Sequence, residues 1–84
     1  MTLKIERISG DGKRRLRLSG QVRAKHLDQL RAEIKRAVPP VALDLEEVDL
    51  VDVESVRFLN GCVAEGISVL NCSPYIREWM LRER

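Results

Sequence analysis

The sequence predicts an α/β fold, a mixed β-sheet with helices packed against it in the order β-β-α-β-α-β-α. Three observations carry this. Apolar alternation flanks a Gly10-Asp11-Gly12 turn near the start; two stretches repeat apolar residues at helical spacing with an apolar run between them; and the start and stop signals of helices fall between these stretches.

Leu3, Ile5 and Ile8 roughly alternate with polar residues before the turn. Leu16 and Leu18 alternate with Arg15, Arg17 and Ser19 after it, so the two segments form an antiparallel hairpin that ends at Gly20. From His26 to Val38, Leu27, Leu30, Ile34, Ala37 and Val38 recur at helical spacing, and Pro39-Pro40 stops that helix. Val41, Leu43 and Leu45 form a short strand, too apolar for an exposed edge and therefore central. Asp52 caps a second helix whose Val56, Leu59 and Val63 face inward and whose terminator is Gly66. A short strand follows at Ile67 to Leu70. Ser73 before Pro74 is an N-cap with proline at the first helical position, opening a last helix through Ile76, Trp79 and Met80.

The chain has 84 residues, 44% hydrophobic and 33% charged, enough for one domain over 1–84 that buries about 60–65% of the surface its unfolded form exposes. It has no apolar run near the ~20 residues of a membrane span and no hydrophobic leader, so a cytoplasmic location without membrane insertion is expected. The two cysteines, Cys62 and Cys72, are too far apart for a CxxC pair, and one histidine cannot complete a zinc site with them. Both read as free thiols in buried or boundary positions. Neither a metal nor another cofactor is expected.

Charge is segregated. Positions 1–25 hold eight basic residues against two acids, whereas positions 41–55 hold six acids and no base. Such polarity suits oriented docking to a charged protein surface, although two solvated faces also explain it. Lys13, Arg14, Arg15 and Arg17 alone do not make a nucleic-acid site, because the three aromatic residues are too few for base stacking.

Other chemistry is sparse. Asp44, Asp49 and Asp52 near the end of a central strand suggest a magnesium-dependent phosphotransferase. No glycine-rich phosphate loop accompanies them, and a polar loop with acids at a helix N-terminus accounts for the same run. His26 is the only imidazole; it reads as a surface or boundary residue, with phosphate acceptor or general base as the alternative. Trp79 either closes the core or stands out as a docking patch, and a homodimer through the sheet edge or last helix is compatible with the small core.

Taken in order, Leu16-Arg17-Leu18-Ser19-Gly20-Gln21-Val22, an amphipathic helix, Val41-Ala42-Leu43-Asp44-Leu45, Val48 with Leu50-Val51-Asp52, and Val69-Leu70-Asn71-Cys72-Ser73-Pro74-Tyr75-Ile76 resemble the STAS domain of anti-sigma factor antagonists and sulfate transporter tails. The resemblance spans about Leu3 to Leu81 and implies a shortened member. In that family the residue after the motif aspartate is a serine or threonine that a partner kinase phosphorylates. Here it is Val53, followed by Glu54 and by Ser55 in place of the motif glycine. The phosphorylation motif is therefore degenerate, with Ser55 the one remaining hydroxyl.

The resemblance implies a non-catalytic bacterial regulatory module, acting in transcription regulation and signalling, that binds a partner protein through Asp49, Asp52, Val53, Glu54, Ser55 and Arg57. The partner it implies is a kinase-like anti-sigma factor. A small cytosolic subunit beside the ABC ATPase of a lipid transport complex is the alternative.

Overall fold

A computed structural model describes residues 3–10, 13–36 and 41–84. Strands β1 (Leu3–Gly10) and β2 (Lys13–Val22) lead into a 3-10 turn at Ala24–His26 and helix α1 (Leu27–Arg36). Strand β3 (Val41–Val51), helix α2 (Val53–Ala64), strand β4 (Ser68–Leu70) and helix α3 (Pro74–Glu83) complete the chain. The mixed α/β class is as expected, with the 3-10 turn added. The turn residues Asp11 and Gly12, the expected helix end at Ala37 and Val38, and Pro39-Pro40 lie outside the described residues.

The four strands lie in sequence order, β1-β2-β3-β4. β1 runs antiparallel to β2, pairing Ile5 with Leu18 and Arg7 with Leu16. β2 with β3 and β3 with β4 are parallel, so β3 is central. Parallel crossovers are right-handed, and both step across the sheet in the same direction, which puts α1 and α2 on one face. Burial agrees: Leu16, Leu18 and Val22 of β2, Leu43, Leu45, Val48 and Val51 of β3, Leu27 and Leu30 of α1, Val56, Leu59 and Cys62 of α2 and Ile76 of α3 form a single cluster. Arg7, on the same face as Leu16, reaches Glu33 of α1 at 3.0 Å. The opposite face carries Arg15, Arg17, Ser19 and Gln21, which is why β2 alternates polar and apolar residues.

β3 is much longer than the short strand expected, and the acidic run is part of it rather than a loop. Its inward residues are Leu43, Leu45, Val48 and Val51. Opposite β2, the pairing moves from Arg17↔Asp44 to Ser19↔Glu47, then from Gly20↔Val48 to Gln21↔Leu50. Each step gives β3 one extra residue, as in a bulge, and lets two successive side chains point outward. Glu46 with Glu47 and Asp49 with Leu50 are those pairs, and all four are exposed. Gly20, at φ 94°, supplies the positive backbone angle beside the second slip.

α2 ends as its sequence requires. Gly66, at φ 92°, donates its N–H to Val63 O at 3.0 Å while Ile67 N–H reaches back to Cys62 O at 2.9 Å, the paired bonds of a Schellman termination. One inward assignment is corrected. Cys62 is buried and Val63 is 50% exposed, because the buried stripe runs through Ser55, Val56, Leu59 and Cys62 and leaves Val63 beyond the sheet at the last turn. Ser73 caps α3 by accepting from Ile76 N–H at 3.3 Å, with Pro74 at its first position. Trp79 packs partly buried against the core, its ring centroid 5.9 Å from that of Tyr75. Among the described residues no helix is long and apolar enough to cross a membrane.

Candidate functional site

The start of α2 emerges where β3 ends, at the carboxyl ends of the parallel strands, where α/β domains commonly meet their ligands. Asp52 leaves β3 with extended backbone and caps the helix: one carboxylate oxygen accepts Ser55 N–H at 2.9 Å, the other accepts Ala24 N–H at 2.8 Å. The second bond ties α2 to the turn after β2. Partial burial raises the Asp52 carboxyl, but the hydrogen bonds from Ala24 and Ser55 outweigh it and hold the pKa below its ordinary 3.8.

Ser55 faces the core. Its side chain has no exposure, and its hydroxyl donates to Val22 O at 2.7 Å. Small size and a hydroxyl suit a position where helix and strand backbones converge. Phosphorylation of Oγ would require the first turn of α2 to open, so Ser55 is not presented to a kinase in this fold. Val53, in contrast, lies at the rim and is half-buried, with Glu54 exposed beside it.

Arg57 is exposed and holds Glu54 at 3.5 Å and Glu83 of α3 at 3.1 Å. Exposed pairs of this kind add little stability, about 0–1 kcal/mol each. They do set the charge pattern of the surface, one acid, Glu54, and one base, Arg57, in the first two turns. Arg57 and Glu54 also border a groove of about 440 Å³ between α1 and α2. There the Arg31 guanidinium lies 5.2 Å from the centre of the Phe58 ring, a cation–π contact. Neither Arg31 nor Phe58 was singled out by sequence. The available signal was an aromatic residue one step off the Val56–Leu59 stripe.

Asp49 is exposed on β3 and is not drawn toward Asp52. Asp44 is 1% exposed, on the sheet face without helices. Its carboxylate accepts Glu46 N–H at 3.0 Å and the Asn71 amide at 3.1 Å, with Arg15 at 3.9 Å. Burial raises its pKa, but these bonds and the charges of Arg15 and Arg17 prevail and lower it. Asn71 pays for that contact with a left-handed φ of 57°, which asparagine tolerates. Asp44, Asp49 and Asp52 thus stand apart, and among the described residues no three His, Cys, Asp or Glu side chains converge as metal ligands would.

The remaining candidates have local partners. His26 closes the 3-10 turn, its Nδ1 accepting Arg23 N–H at 3.2 Å. Burial pushes the Cys62 thiol up to about 11, with Glu65 adding to the effect. Cys72 is also raised by burial, and its Sγ lies 3.9 Å from the Met80 sulfur. A thiol held in its protonated form is a poor nucleophile. Arg15 and Arg17 flank Asp44, so part of the basic charge at the N-terminal end is matched locally. Comparison with known proteins found no matching family model and no matching curated relative.

Proposed function

We propose that this chain is a non-catalytic protein-binding regulatory module of the STAS-like kind, resembling an anti-sigma factor antagonist, and that it engages its partner with the first turns of α2. Val53, Glu54 and Arg57 are the contact residues, Asp49 flanks them, and Asp52 and Ser55 hold them in place. The observation that carries this reading is the division of labour at the helix start. The carboxylate of Asp52 and the hydroxyl of Ser55 are consumed by backbone bonds across to β2 and its following turn, while an apolar side chain and an acid–base pair face outward. A fixed backbone with a small apolar centre and a charged rim is what protein interfaces favour.

Because Val53 has no hydroxyl, the contact is constitutive: no phosphate can be added at that side chain to repel a partner. The alternative, a small cytosolic subunit of an ABC-type lipid transport complex, uses the same surface. The magnesium phosphotransferase reading gains nothing from the separated positions of Asp44, Asp49 and Asp52.

Co-purification of the tagged chain from its native host tests the proposal. A kinase-like ATPase or an ABC ATPase is expected, each recognisable by mass spectrometry, and Val53→Glu is expected to abolish capture without loss of folding. Retention of the partner by both Val53→Glu and Arg57→Glu would place the interface elsewhere. Efficient phosphorylation of Ser55 that releases the partner would overturn the constitutive version.

A further inference from the structure

β4 is the last strand of the sheet, and its outer edge has no partner among the described residues. Ser68, Val69 and Leu70 alternate between faces, yet all three line one open groove of about 570 Å³. A cavity that touches both faces of a strand runs along its edge. Unprotected edges are templates for pairing, and natural proteins blunt them with charge, proline or bulges. Ser-Val-Leu itself carries none of these and is three residues long.

The groove is apolar where a peptide side chain would enter. Val63 of α2 and Leu81 of α3 line it at 50% and 57% exposure, two of the four large apolar side chains exposed among the described residues. Its wall is cationic. Arg77 and Arg84 line the groove, and neither has an acidic side chain within ion-pair distance among the described residues, whereas Arg7, Arg31, Arg36, Arg57 and Arg82 each do.

We propose that the β4 edge is a second docking surface, which takes an extended segment of a partner protein as an added strand, with apolar side chains between Val63 and Leu81 and carboxylates on Arg77 and Arg84. Backbone pairing supplies affinity in such a mode and alternate side chains supply specificity. A second copy of this chain fits less well, because two-fold pairing of β4 with itself gathers the Arg77 and Arg84 side chains of both copies around one short ladder. The surface is centred away from the start of α2: ten helical steps divide Val53 from Val63, about 15 Å at 1.5 Å per residue, and the two surfaces approach each other where Arg57 reaches Glu83, the residue before Arg84.

The test selects nonapeptides from a random display library on the intact chain, then titrates the synthetic winner into ¹⁵N-labelled protein. Winners are expected to alternate apolar with acidic residues and to shift the amides of Ser68 to Leu70 and Arg77 to Leu81. The double variant Arg77→Glu, Arg84→Glu, both on the surface, should bind about tenfold more weakly. It should recover binding to a peptide with lysine in place of the acids, and should keep the Val53-dependent capture described above. Failure to select any binder, shifts confined to α2 or the open sheet face, or a helical bound peptide would overturn the proposal. So would self-association that moves the same amides in the absence of peptide.

Discussion

Replacing Asp52 by alanine removes two acceptors at once, and the structure sets the size of the effect. The helix cap to Ser55 N–H at 2.9 Å is worth about 1 kcal/mol. The charge-assisted bond to Ala24 N–H at 2.8 Å, in a partly exposed setting, adds roughly another 1 kcal/mol. Asp52→Ala should therefore cost about 2 kcal/mol, a large share of the ~4–12 kcal/mol expected for a domain of this length. Asp52→Asn is the sharper probe. Its carbonyl can still accept from Ser55, but its amide then points a donor at the Ala24 donor, so it should cost about 1 kcal/mol, the value of one bond.

The carboxylate also predicts a pH signature. The folded state holds the Asp52 carboxyl below its ordinary 3.8, so its stabilisation is present above that pH and is lost as pH falls through the lowered value. Urea unfolding of the three proteins at pH 7 and at pH 2.5 measures this, with the gap between wild type and Asp52→Asn narrowing in acid. Equal midpoints for wild type and Asp52→Ala at pH 7 would refute the argument that the side chain anchors α2. An undiminished gap at pH 2.5 would show that its charge plays no part.

Ser55→Ala should lose about 1–2 kcal/mol, since the 2.7 Å bond to Val22 O is buried, and a neutral result in the same assay would contradict that geometry. Gly66→Ala should lose about 1–2 kcal/mol although no atom lies within 4 Å of the added carbon; the cost is the φ of 92° alone, so Gly66→Asn should lose less, and a harmless alanine would deny the left-handed turn. Leu59→Ala, at a fully buried position, should lose about 2–5 kcal/mol by calorimetry or urea, and a loss under 1 kcal/mol would move Leu59 out of the core. At pH 8 a disulfide reagent should modify Cys62 far more slowly in the folded chain than in denaturant. The folded thiol keeps to about 11 a proton the unfolded chain releases near 9.0, so stability should also fall as pH rises between those values, and immediate labelling of the folded protein would refute the burial.

What the sequence made legible was chemistry confined to a few adjacent residues. Asp52 and Ser73-Pro74 as helix starts, Gly66 as a helix end and the alternation of β2 all hold in the structure. The length of β3 was hidden for a definite reason. Its inward residues are spaced by two and then by three, because two pairing slips insert extra residues, and a spacing of three does not look like a strand. The direction of Ser55 was equally hidden, since it depends on Val22, 33 residues away. Asp44 is buried only because Asn71, 27 residues away, and the arginines of β2 surround it. Val63 was misplaced because helical periodicity marks a face without saying where the sheet beneath it stops.

The strand order ties these details to the proposed role. The parallel pairing of β2 with β3, which sets Val22 opposite Val51, leaves the start of α2 beside the end of β2, where Asp52 meets Ala24 and Ser55 meets Val22. Those bonds cross between elements, so the first turn of α2 cannot fray without breaking contacts to β2 and the turn that follows it. A surface already ordered by its own fold loses little freedom when a partner docks, so in the proposed role the affinity is to come from the contacts of Val53, Glu54 and Arg57 rather than from ordering. The same bonds keep the only nearby hydroxyl out of reach. On this reading, rigidity and the absence of a switch have one cause: Ser55 and Asp52 are spent on the scaffold, and a charged substitution at Val53 must then act on binding with little effect on folding. That separation is measurable, and a Val53→Glu variant that unfolds as readily as Asp52→Ala would dissolve it.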